Sequence, residues 1–178
     1  MSKKPNPIPP EIVDYFDYNP ETGIITWKIS PCHAIKVGHK AGSKRKRSRG
    51  KGYEFFIRFN YKYYNASRLA YFLYHGKDPK GKQVDHIDGN PLNNKIDNLR
   101  LATGSQNQMN RGLLKNNTSG VVGVYWVESV QKWRAQIDCK NKRIYLGYFD
   151  DKEEAIAARI AAEKKYFGEF RNDCNDNV

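Results

Sequence analysis

Residues 84–111 read VDHIDGNPLNNKIDNLRLATGSQNQMNR, and no other stretch of the chain gathers so many side chains able to do chemistry. Asp85 and His86 are adjacent, Asn98 follows His86 by twelve residues, and Asn107 follows Asn98 by nine. A histidine can take a proton from water because its pKa lies near neutrality. A carboxylate and an amide carbonyl are oxygen donors, which is what a hard divalent cation requires. Such a cation neutralises charge on phosphate oxygens and stabilises a leaving oxygen. Base and cation together meet the demands of phosphodiester hydrolysis. Singly these residues say little, since Asp-Gly-Asn and Asn-Asn runs are ordinary turn formers. Their joint spacing is the signal.

Those side chains need elements to hold them. In a strand, Asp85 and His86 point to opposite sides. At a strand end with a bend, one can hold metal while the other faces the scissile phosphate. Leu99–Ala102 suits a second strand, and Asn98 just before it can tie the loop backbone together through both ends of its amide. Thr103-Gly-Ser-Gln106 fits a capping box, which predicts a helix starting near Thr103. Asn107 then lies one turn inside that helix, where its amide oxygen could return to a metal beside Asp85.

On these residues the segment resembles the HNH family, the strand-strand-helix metal-finger nucleases, in the form found in phage and intron-borne homing endonucleases. The resemblance implies His86 as general base, Asp85 and Asn107 as ligands of one divalent ion, and Asn98 as the loop brace. The last motif position is Asn rather than His, which favours Mg2+, with Mn2+ as a substitute, over zinc. Upstream, YNPETGIITWK and GYEFFIRFNYKYYNASRLAYFLYHGKDP resemble the lead-in of the same phage enzymes. Many relatives carry a His before the Arg-Leu-Ala run; Ser67 stands there in this chain and receives no catalytic role. His33, His39 and His75 lack comparable company and read as surface or packing residues.

Charge points to the same partner. The 178 residues carry 31 Lys and Arg against 19 Asp and Glu, a formal net charge of +12. Such a balance suggests a polyanion, with double-stranded DNA the first candidate. No long apolar run exists to enter a membrane and no secretory signal is visible, so a cytoplasmic location is expected. The three cysteines are widely spaced and form no Cys-x-x-Cys pair, which excludes a zinc knuckle or a disulfide framework and leaves three reduced thiols. Residues 1–114 hold 20 of the basic residues and 9 of the acidic ones, whereas residues 115–178 are nearly neutral. The first part is suited to phosphate attraction; the second would bind by shape and specific contacts.

Along the chain, residues 1–10 read as a flexible lead and Ile12–Phe16 as a short helix. Ile24–Trp27 reads as a strand after the Asn19–Gly23 turn. Lys36 to Lys51 holds eight basic residues and no acid and is read as a mobile loop, with Lys44, Arg45, Lys46, Arg47 and Arg49 as phosphate contacts. Tyr53–Tyr64 predicts two strands joined near Asn60, and Ser67–His75 a helix stopped by Gly76. After the linker, strands are expected at about Val121–Val127, Lys132–Cys139 and Arg143–Phe149. A helix from Asp150 to Phe167 follows, with an Asp150/Glu153 capping box and Gly168 as its stop.

Residues 119–170 resemble the DNA-binding domain of plant ethylene-response factors, similar copies of which occur fused to phage HNH endonucleases. The likeness rests on Lys132-Trp133, Leu146-Gly-Tyr-Phe149 and the alanine-rich helix. It implies a sheet in the major groove with the helix behind it. Alternation turns Trp133, Ala135 and Ile137 toward the helix and Arg134 and Gln136 outward. Arg143 and Tyr145 join that outer face, and Tyr125 is placed with them as a DNA contact. The family's arginine-rich first strand is here Val122, Tyr125 and Val127.

The expected fold class is α+β: an N-terminal ββα-metal HNH module, residues 1–114, and a C-terminal three-stranded antiparallel sheet packed on one helix, residues 119–170. Residues 115–118 form the linker and 171–178 a tail. The expected function is a metal-dependent DNA endonuclease targeted by its C-terminal module. A monomer would nick and a homodimer could cut both strands. The alternative is a non-catalytic DNA-binding regulator derived from an HNH nuclease.

Overall fold

The computed structural model describes residues 5–47, 52–109, 117, 119–139 and 142–170. Arg49, Cys174, the tail 171–178 and most of the linker therefore lie outside the described residues. The chain mixes four small sheets with three α-helices among those residues. It divides into two compact units: Met1–His86 with Asn90–Leu101, and Ile87–Gly89 with Ala102–Val178. No helix among the described residues is long and apolar enough to cross a membrane.

The first unit is built on three of the sheets. A short 3-10 helix, Pro10–Asp14, precedes β1 (Phe16–Asn19), which pairs antiparallel with β2 (Ile24–Trp27). Phe16 thus opens a strand rather than ending a helix, because it packs at 1% exposure beside Trp27, its register partner. The Asn19 side chain accepts hydrogen bonds from the backbone N–H groups of Glu21 and Thr22, which closes the turn.

The expected loop at Lys36–Lys51 contains a strand. β3 (Ser43–Lys46) pairs antiparallel with β4 (Tyr53–Phe59), which pairs on its other side with β5 (Lys62–Asn65). β3 is an edge strand with all four residues exposed. Lysine and arginine are tolerated there because an edge meets water, and their charge deters pairing with another chain.

Asn65 caps α1 (Ala66–His75) by accepting from the Ser67 N–H, and Gly76 ends the helix in the left-handed conformation. Ile12, Phe16, Ile57, Phe59 and Leu69 from these elements form one core. β6 (Gln83–His86) and β7 (Leu99–Ala102) form the third sheet. Leu99 is buried in the core and Val84 packs against it, so the strands bearing the motif are seated on the N-terminal elements.

In the second unit, α2 (Gly104–Met109) carries Asn107, the last motif position. β8 (Val124–Val127), β9 (Lys132–Cys139) and β10 (Lys142–Phe149) make an antiparallel sheet in the order β10-β9-β8. β8 starts three residues later than the sequence suggests, because residues 119–123 are folded into turns. There Asn117 accepts from the Gly120 N–H, and Gly123 has a φ of +81°.

α3 (Lys152–Phe167) packs on β9 and β10. It begins after Asp151, whose carboxylate accepts from the Glu153 N–H. Asp150 does not cap it; its carboxylate pairs with Lys132 at 2.9 Å. The helix carries a feature unforeseen from its alanines. Arg159 and Glu163, 4% and 2% exposed, form a buried ion pair at 2.8 Å, and Arg159 also donates to the Gln136 carbonyl on β9 at 2.5 Å.

Candidate active site

His86 closes β6, and its Nε2 lies 3.0 Å from the Oδ1 of Asn94, which is 5% exposed. An amide oxygen only accepts, so Nε2 carries the proton in this contact. In the neutral ring the basic lone pair is then on Nδ1. A partner that fixes a histidine's tautomer and orientation decides which nitrogen does chemistry.

Asn94 and its neighbours in the loop are held by three hydrogen bonds. The Tyr18 hydroxyl on β1 donates to the Asn94 carbonyl at 2.7 Å. The Asn98 amide donates to the neighbouring Asn93 carbonyl at 2.8 Å. The Ile96 N–H donates to the Pro20 carbonyl of the β1–β2 turn at 3.1 Å. That turn approaches very closely. Gly23 has a φ of +72°, and a Cβ there would stand 2.5 Å from the Asn94 carbonyl carbon. Both the backbone conformation and the lack of space require glycine. Burial, with Asp97 and Tyr74 adding to it, raises the Tyr18 phenol to about 12, so it stays a neutral donor at ordinary pH.

Asp85 is 5% exposed; its Oδ2 accepts a hydrogen bond from Nε of Arg100 on β7 at 3.0 Å and lies at ion-pair distance, 3.0 Å, from Nη2. A paired guanidinium orients the carboxylate and compensates its charge. Thr103 and Gln106 form the reciprocal bonds of a capping box: the Gln106 side chain accepts from the Thr103 N–H and the Thr103 hydroxyl from the Gln106 N–H. Asn107 lies in the helix so started, its N–H bonded to the Thr103 carbonyl. Asp85, His86 and Asn98 belong to the first unit, Asn107 to the second.

Among the described residues, no group of three or more His, Cys, Asp and Glu side chains could enclose a metal. Within the first unit the buried Asp85 carboxylate is an oxygen donor of the kind that a hard divalent ion takes.

Of the expected DNA contacts, Lys44, Arg45 and Lys46 are exposed on β3. Arg47 pairs with Glu54 at 2.7 Å, and Arg45 lies over the Tyr63 ring, 3.8 Å from its centre. Arg49 lies outside the described residues. On the C-terminal sheet, register puts Tyr125 beside Arg134, Gln136 beside Tyr145 and Asp138 beside Arg143, on one face. Ala135, Ile137 and Cys139 alternate with them and are buried. The outer residues bind one another: Arg134 donates to the Tyr125 hydroxyl, Tyr125 donates to Gln136 at 2.8 Å, and Arg143 pairs with Asp138 at 2.9 Å. Arg143 lowers the Asp138 carboxyl below its usual range by hydrogen bonding.

Sequence reasoning passed over Asn94, Arg100 and Tyr18. Arg100 left a trace, as a cation between Leu99 and Leu101 in an otherwise apolar strand. Asn94 reads as a turn residue, and nothing in its spacing marks it as the partner of His86.

Residues 64–109 match the family model described as HNH endonuclease. Protein 3.8 of Escherichia phage T7 is 46% identical over 68 residues, which are 38% of this chain and 56% of that protein. An uncharacterised HNH endonuclease of Acanthamoeba polyphaga mimivirus is 35% identical over 95 residues, 53% of this chain and 48% of that one. The chain spans about half the length of these curated relatives. No solved structure matches it. Residues 64–109, with His86 and Asn94 among them, are thus similar to the HNH endonuclease family.

Proposed function

We propose that the chain is a divalent-metal-dependent DNA endonuclease in which His86 is the general base. The observation that carries this reading is the 3.0 Å contact between His86 Nε2 and buried Asn94, inside the HNH-matched segment. With Nε2 protonated, Nδ1 of His86 accepts a proton as water attacks the phosphorus. A new P–O bond forms from the water oxygen, the scissile P–O bond breaks, and the leaving oxygen takes a proton from solvent. Asp85 and Asn107 would hold the ion, which supplies charge neutralisation on the phosphate and stabilises the leaving oxygen. Arg100 keeps the Asp85 carboxylate oriented, and Asn98 keeps the Asn93–Asn94 loop in place.

Lys44, Arg45, Lys46 and Arg47, with Arg49, contact backbone phosphates in this reading. The outer face of the C-terminal sheet, Tyr125, Arg134, Gln136, Arg143 and Tyr145, meets the groove of the target, as the likeness to ethylene-response-factor domains implies. One such centre serves one strand, so a monomer nicks and a homodimer cuts both. The expected setting is the cytoplasm of a phage-infected host.

The test is conversion of supercoiled plasmid to the nicked or linear form by purified protein. Cleavage should vanish in EDTA and return on adding excess magnesium or manganese. Intact plasmid under every metal condition, with DNA still bound, would instead favour a non-catalytic regulator.

A further inference from the structure

The β4–β5 hairpin turns through Asn60 and Tyr61, whose φ angles are +45° and +60°. Phe59 and Lys62 pair across it, so the loop has two residues. A two-residue hairpin loop with both residues at positive φ is the turn for which Asn-Gly is the favoured pair. Asparagine stands at the first position, but a tyrosine occupies the glycine position. A bulky residue at positive φ is a conformational outlier, and a retained outlier is a reason to look for function. Packing does not explain it, because Tyr61 is 89% exposed, the most exposed of the large hydrophobic side chains described.

Its neighbours have one chemistry. Arg58 lies 5.4 Å from the Tyr61 ring centre and 5.9 Å from that of Tyr63, and Arg45 lies 3.8 Å from the Tyr63 ring centre. Tyr63 is 39% exposed. Cations and aromatic rings therefore alternate across the outer face of β3-β4-β5. The opposite face, with Ile57, Phe59 and Tyr64, is buried in the core and makes this one rigid. Guanidinium groups beside the exposed Tyr61 ring fit a polyanion that also offers flat rings. Nucleic acid has both, and an unpaired base presents its face most readily.

We infer that Tyr61, with Arg58 and Tyr63, forms a stacking platform for an unpaired base of the DNA that the chain acts on. This rests on the DNA-endonuclease reading and adds that the substrate is engaged where its bases are unstacked. No side chain of the proposed catalytic centre takes part, so the tip can be changed without touching that centre.

The test uses full-length protein in EDTA, so that binding is read apart from cleavage. Fluorescence anisotropy is measured with a labelled single-stranded deoxyoligonucleotide and with the same strand in a duplex. Tyr61→Gly restores the Asn-Gly turn and should raise the unfolding midpoint by about 2–4 °C. The same variant should weaken single-strand binding roughly 10-fold, with a smaller loss on the duplex. Tyr61→Phe, which keeps the ring, should bind as wild type does. A purely structural tyrosine would not give a more stable protein that binds less well. Wild-type affinity in Tyr61→Gly overturns the platform alone, as does an equal loss in Tyr61→Phe or on the duplex. Failure of the wild type to bind either DNA overturns the platform and the endonuclease reading together.

Discussion

His86 is useful only if its ring is held, and the holding is done by residues with no chemistry of their own. Removing the Asn94 amide takes away the acceptor that favours the Nε2-protonated tautomer. Asn94→Ala should therefore slow plasmid cleavage by about 10- to 100-fold, the range typical of losing an outer-shell partner of a functional histidine. DNA binding measured in EDTA should persist; unchanged cleavage would mean that the contact is incidental. Tyr18 acts one step further out. Burial disfavours its phenolate, so the stabilisation from the neutral phenol is complete below the unfolded value of 10.0 and is lost as pH rises through about 12. In a phenolate absorbance titration, Tyr18→Phe should remove a step near pH 12. Loss of only ordinary titration near pH 10 would contradict the burial argument. His86, Asp85 and Asn98 could be singled out from the sequence because their residue types and intervals match the chemistry proposed for them. Asn94 and Tyr18 were hidden because their role depends on a contact between residues 76 positions apart, which no local pattern encodes.

At the scale of elements, periodicity read well where one face is buried. Alternating Trp133, Ala135 and Ile137 marked the inner face of β9, where Ala135 and Ile137 are buried and Trp133 packs against the core, and Gly76 and Gly168 end helices as their chemistry requires. It failed at Ser43–Lys46, where four exposed residues carry no apolar alternation and only pairing with β4 makes a strand. It also missed the ion pair inside α3, since Arg and Glu four residues apart ordinarily mark a solvent-facing stripe. Here Gly123 leaves room for the guanidinium: a Cβ at that position would stand 2.8 Å from Arg159 Nη1. Glu163→Ala removes one partner and strands a buried charge, so it should lower stability by about 3–5 kcal/mol in urea unfolding. A loss under about 1 kcal/mol would show that water reaches the guanidinium.

For the whole molecule, a positive charge concentrated in residues 1–114 and a nearly neutral remainder would suit two modes of contact with the DNA proposed as substrate. Neutralising Lys44, Arg45 and Lys46 together should weaken binding alike on all sequences, flattening the dependence of log affinity on log salt by about 0.9 for each phosphate that the variant no longer neutralises. An unchanged slope would make β3 a solvated edge and nothing more. Replacing Arg134 and Arg143 with alanine should instead redistribute cut sites in a sequencing map, with each missing bond to a base relaxing discrimination by about 1–3 kcal/mol. Identical maps would remove the C-terminal face from target choice. All of this depends on whether the chain hydrolyses DNA through His86. The decisive measurement is the single-turnover rate of plasmid cleavage by His86→Ala beside wild type, with magnesium present and equal DNA occupancy checked by gel shift. The expected result is a loss of about 100-fold or more in rate with binding retained. A rate within about two-fold of wild type, too small a change for loss of a general base, would contradict it.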